Sequence, residues 1–165
     1  MKKYEFTGET KEIRLLFRTA TLHRIRATVA FGIVEVGDLG GWIEKEENLS
    51  HEGKAWVWGN AKVWGNAEVW GNAEVCGDAK VFSASHVLVI GAIGSRNDFT
   101  TFYRDKDNEI TVKCGCFLGK IDRFLEKVTQ THGDSKYALV YRAAVEVAKL
   151  QIDLSGEAPK DADEE

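Results

Sequence analysis

Between Gly53 and Val87 the chain repeats itself every six residues. Val57, Val63, Val69, Val75, Val81 and Val87 keep that spacing, as do Ala55, Ala61, Ala67, Ala73 and Ala79, and Gly53, Gly59, Gly65, Gly71 and Gly77. Asn60, Asn66, Asn72 and Asp78 follow the last four of those glycines. A short fixed period constrains a fold strongly, because every unit must meet the same kind of neighbour. Six fits neither the helical period nor the simple alternation of a strand. It fits a short strand followed by a corner. Gly and Asn tolerate the left-handed backbone of a sharp corner. Ala is small enough to sit beneath that corner, and Val supplies an inward β-branched residue.

Three units per turn of chain would stack residues 18 apart, placing Val57, Val75 and Ile93 in one column. Val63, Val81 and Phe99 would form a second column, and Val69 and Val87 a third. Successive turns would lie about 4.8 Å apart, the ordinary strand spacing. The unit Val-Trp-Gly-Asn-Ala-Lys resembles those of the hexapeptide-repeat family, whose left-handed parallel β-helix departs from the usual crossover hand. The resemblance implies a mainly β fold with a β-helix of about three coils over residues 42–99. Short repeat arrays need covered ends, so the flanks are expected to be caps.

Residues 1–41 form the expected N-terminal β cap. In it, Tyr4-Glu5-Phe6-Thr7 and the alternating run Leu22–Val29 read as antiparallel strands. Residues 100–152 are expected to hold a β-hairpin around Asp105-Lys106-Asp107-Asn108, then two helices forming a C-terminal hairpin. The first helix spans about Lys120–Thr131 and is closed by Gly133; the second starts near Asp134 and Ser135 and runs to about Ile152. Tyr137, Val140, Tyr141, Ala144, Val145 and Ala148 give that second helix an apolar face. Residues 153–165, acidic and carrying the single proline, read as a disordered tail. The stretch Asp38–Ser50 ahead of the repeat, with the segment running from Gly115-Cys116-Phe117 to Thr131-His132-Gly133-Asp134, is similar to proteins encoded by bacteriophages and prophages. That resemblance implies a phage setting and carries over no catalytic residue.

Charge narrows the functional classes. The chain has 22 Lys+Arg and 26 Asp+Glu, a net −4. The tail alone holds six acids against one lysine, which leaves residues 1–152 near +1. So balanced a body is poorly suited to gripping a phosphate backbone by bulk charge, and nucleic acid is not an expected partner. No apolar run approaches the roughly 18 residues of a membrane span, and the start has no signal-peptide apolar block. Three cysteines argue against a disulfide framework. The expected location is the cytoplasm of the bacterial host.

All five tryptophans fall between Trp42 and Trp70. Trp58, Trp64 and Trp70 each follow an inward Val, so alternation turns them outward on different faces. Outward indoles suit a subunit interface, as in a homotrimer, or a stacking surface for a base. Lys62 and Lys80, with Arg96 and Arg104 past the last clear repeat, are the cations that could hold a phosphate, and Lys62, Lys80 and Arg96 are the ones assigned to the ligand. His86 is the candidate general base, but only if the chain is an acyltransferase like other hexapeptide enzymes. His51 and His86 are too far apart for a metal pair, and Cys114-X-Cys116 has no second pair, so no metal site is expected. The absence of a phosphate loop of the G-x-x-x-x-G-K-[ST] type leaves no expected cofactor.

These features lead to the expectation of a non-enzymatic homotrimer. It would sequester a small nucleotide-like ligand at inter-subunit clefts lined by Trp58, Trp64, Trp70, Lys62, Lys80 and Arg96, in a phage counter-defence role. The alternatives are an acetyl-CoA-dependent acyltransferase using His86, which would usually need a longer repeat with an extruded loop, and a protein-binding inhibitor or structural module.

Overall fold

The computed structural model describes residues 1–156, 159 and 161. Strands β1 (Tyr4–Arg14) and β2 (Thr19–Ala27) form an antiparallel hairpin, and β3 (Leu39–Ile43) pairs antiparallel with β2. The repeat then adds strands of only two residues: β4 (Trp56–Val57), β5 (Lys62–Val63), β6 (Glu74–Val75) and β7 (Lys80–Val81). β3, β5 and β7 pair in parallel and extend the first sheet to the order β1-β2-β3-β5-β7. β4 and β6 make a separate parallel pair. Strands β8 (Val87–Ile93), β9 (Asp98–Arg104), β10 (Ile110–Cys114) and β11 (Phe117–Lys120) form an antiparallel meander. Helices α1 (Ile121–His132) and α2 (Lys136–Gln151) pack on it through Phe124, Val128, Tyr141 and Val145, against Phe102 and Val112. No described helix is long and apolar enough to cross a membrane.

The expected three-coil left-handed parallel β-helix over 42–99 is overturned. The 18-residue stacking is present at Val57↔Val75 and Val63↔Val81, but only in two-residue strands: the first pair stands as an isolated parallel ladder, and the second joins the mixed five-stranded sheet. Beyond Val81 the columns stop: Val87 pairs antiparallel with Tyr103, and Ile93 with Asp98. The cause is local. A Gly corner at positive φ recurs from Gly53 to Gly77, after which Val87–Ile93 runs seven residues without a comparable corner. An apolar run broken by no positive-φ glycine becomes a longer strand, with a register shift between Ile90 and Ile93, and the Gly94 turn hands it an antiparallel partner.

The inward reading of the repeat holds locally. Val57, Val63, Val69, Val75 and Val81, with Ala55, Ala61, Ala67, Ala73 and Ala79, are all buried in one core with Ile25, Ile43 and Leu49. A second core lies between the meander and the helices, and a third gathers Ile13, Ala20, Leu22, Trp42 and Trp64. Of the tail expected to be disordered, Asp153–Gly156, Pro159 and Asp161 have defined positions; the rest of that expectation lies outside the described residues.

Candidate functional site

Residues flanking β4, with Asn72 and Glu74 at the start of β6, floor an open groove of about 340 Å³. Lys54, Trp58, Asn72 and Glu74 form the floor; the loop Phe31–Val34 makes one wall, and Asp98, Phe99, Lys113 and Gly115 make the other. Alternation sets these floor residues apart from Ala55, Val57, Ala73 and Val75, which point into the core; Trp56, on the same side as Lys54 and Trp58, is itself buried against Tyr4 and Phe31. Trp58 is half-buried: part of its ring packs on the core while its side chain still lines the groove. Its Nε1 is buried without a hydrogen-bond partner among the described residues. Lys113 Nζ lies 3.8 Å from Glu74 Oε2 and donates to the Gly115 carbonyl. The Glu74 backbone N–H donates to Thr101 Oγ1 at 3.1 Å, tying the floor to the meander. Two lysines against Glu74 and Asp98 leave the groove near neutral, so an aromatic ring is a better match to it than bare charge.

The residues picked from sequence separate into different environments. Trp70 is 69% exposed and edges a second, apolar cavity of about 530 Å³ with Val87, Leu88 and Val89. That cavity shares Asn72 and Phe99 with the Trp58 groove. Trp64, expected to face outward like the other two, is 2% exposed and stacks on Phe82 with centroids 4.9 Å apart. The β1–β2 hairpin covers it through Ile13 and Leu22, so its outward face became a core. Arg96 is exposed and lines a cleft beyond the groove that shares Asp98 and Gly115 with it. The structure therefore gathers Trp58, Trp70 and Arg96 along one side of the molecule.

Lys62 and Lys80 lie elsewhere, directly opposite one another across β5 and β7, and both are buried. The C-terminal segment lies over them. Asp161 Oδ2 sits 2.9 Å from Lys62 Nζ, and Lys80 Nζ donates to the Pro159 carbonyl at 3.1 Å. The segment is anchored further along by Arg104, itself 1% exposed. Its guanidinium donates to the carbonyls of Ser155 (2.9 Å) and Gly156 (2.7 Å) and to Asn108 Oδ1, while lying over the Phe82 ring.

His86 belongs to this anchor. It is 2% exposed; its Nδ1 accepts the Phe82 backbone N–H at 3.1 Å, and its Nε2 lies 3.2 Å from Arg104 Nη1. Burial first, and the neighbouring guanidinium second, push its pKa down to about 4. The ring is neutral at pH 7 and fully engaged in packing. Among the described residues no three His, Cys, Asp or Glu side chains gather as metal ligands.

Sequence reasoning missed Lys54, Asn72, Phe99 and Lys113 as groove residues. One signal was visible: Lys54 follows Gly53 where the next three units carry Asn after Gly. The others come from segments distant in the chain and converge only through folding. The chain matches no known protein-family model and no curated protein.

Proposed function

We propose that this protein is a non-enzymatic binding protein that holds a small, ring-bearing, nucleotide-like ligand in the Trp58 groove. One observation carries the reading: a half-buried Trp58 lines an open groove beside Lys54 and Lys113. Core packing fixes the indole in advance, so a planar base could stack on it with little ordering cost. Lys54 and Lys113 would meet a phosphate, and Asn72 offers both a donor and acceptors to ring edges. The buried setting of His86 supports binding over acyl transfer, since a general base must reach the proton it removes.

Self-association into a homotrimer is part of the same proposal. Trp70 is exposed beside an apolar cavity, and a large exposed aromatic of this kind suits a subunit contact. In a phage setting, such a protein would act by withholding a nucleotide messenger from its host receptor.

The test is to incubate the protein with cyclic dinucleotides, ADP-ribose cyclisation products and acetyl-CoA, then heat it and chromatograph what is released. Depletion of one nucleotide with intact recovery is the expected result, and Trp58→Ala should weaken that binding by about 1–3 kcal/mol. A chemically altered product, or undiminished binding by Trp58→Ala, would sink the reading.

A further inference from the structure

The cleft that holds Arg96 is built independently of the repeat. It measures about 280 Å³ and lies where the β8–β9 tip, the β10–β11 tip and both helices meet. α1 lines it with Phe124, Lys127, Val128, Thr131 and His132, the spacing of a single helix face. Phe124 and Val128 are buried and form its apolar base with Phe117 and Tyr141. The three rings pack on one another: Phe124 meets Tyr141 edge to face at 5.7 Å and 89°, and Phe117 at 5.4 Å with the planes tilted by 56°.

Two glycines seat the polar heads. Gly94 has φ +78°, and a Cβ there would fall 1.9 Å from Tyr141 Oη. Gly115 has φ +57°, and a Cβ there would fall 2.9 Å from Arg96 Nη1. Each hairpin tip thus carries glycine where a side chain would displace a polar group lining the cleft.

The charge is net positive. Arg96 and Lys127 line the cleft, and neither has a carboxylate within ion-pair distance among the described residues. Asp98 is the one lining carboxylate, and its Oδ1 accepts the Phe99 backbone N–H. An apolar, aromatic base beneath two uncommitted cations is complementary to a ring that carries a dianion.

We propose that this cleft is a second binding site, for a small ring-bearing phosphate monoester. The ring lies on Phe117, Phe124 and Tyr141, and the phosphate meets Arg96 and Lys127. This site does not rest on the ring-binding reading of the Trp58 groove.

Calorimetric titration of the full chain with phenyl phosphate tests it. Saturable binding of one molecule per chain is expected, with at least a tenfold loss in Arg96→Gln and in Lys127→Gln. Both positions are exposed, and unchanged thermal melting would establish that the variants fold. Phenol should not bind, benzoate should bind more weakly than phenyl phosphate, and Trp58→Ala should leave the titration unchanged. Absence of saturable binding, indifference to both charge substitutions, or equal binding of phenol or benzoate would overturn the proposal. Loss of phenyl phosphate binding in Trp58→Ala would do so too, by assigning the ligand to the groove.

Discussion

The carboxylate of Asp161 lies 2.9 Å from Lys62 Nζ, so the end of the chain neutralises a lysine set in the middle of the repeat. Lys80 stands opposite Lys62 across the parallel ladder, with Asp161 Oδ1 3.9 Å from its Nζ. Like charges facing each other across strands repel, and both ammonium groups have lost most of their water.

Removing the anion should therefore cost more than removing a surface pair. Asp161→Asn is expected to destabilise the protein by about 3–5 kcal/mol, the usual range when one partner of a buried ion pair is lost. Lys62→Met in the same chain should recover part of that loss. Urea denaturation of the single and double variants measures both; an Asp161→Asn midpoint equal to wild type would show that the contact carries no weight.

The tryptophans should divide by environment. Trp64→Ala removes a buried indole stacked on Phe82 and is expected to cost about 3–5 kcal/mol. Trp70→Ala, at a position exposed in the single chain, should change stability by no more than about 0.5 kcal/mol at dilutions where the protein is monomeric. Equal losses in denaturant melts would mean that the hairpin does not cover Trp64 as described.

His86 sets a pH window. Its folded-state pKa is pushed down to about 4 by burial, against an ordinary 6.5. Between those values the unfolded chain takes up a proton that the folded chain does not. Stability from this residue is therefore full above about pH 6.5 and falls as pH drops toward 4. The difference in unfolding free energy between wild type and His86→Gln should vary with pH across that window and be flat above it. A pH-independent difference from 7 to 4 would contradict the assignment.

Cys76 and Cys116 should react at very different rates. Cys76 is buried, and burial raises its pKa to about 12, while Cys116 is exposed. Iodoacetamide at pH 8 should label Cys116 in the native protein and reach Cys76 only after denaturation. Peptide mapping by mass spectrometry reads this directly; native labelling of Cys76 would be the contrary result.

Val69 is 1% exposed within the main core and bridges in parallel to Leu49. Val69→Asp puts an unpaired charge among buried Val and Ala side chains and should unfold the repeat. Native circular dichroism and melting in this variant would show that the inward register is misassigned.

The inward half of the repeat was legible in the sequence because it depends only on local geometry. A Gly corner every six residues, with Val and Ala at set offsets, determines which side chains of each short strand point in, and all of those from Ala55 to Val81 are buried. The two C-terminal helices, and Gly133 as the stop between them, were legible for the same reason. What each outward side chain would meet was not, because distant segments decide it. The β1–β2 hairpin turned Trp64 into core, the C-terminal segment covered Lys62 and Lys80, and the meander left Trp58 in an open groove. The fold class fell on the same divide. A period determines how a strand turns, but the partner of Val87–Ile93 was chosen by the antiparallel strand that the Gly94 turn brought beside it, and that pairing ended the parallel stack.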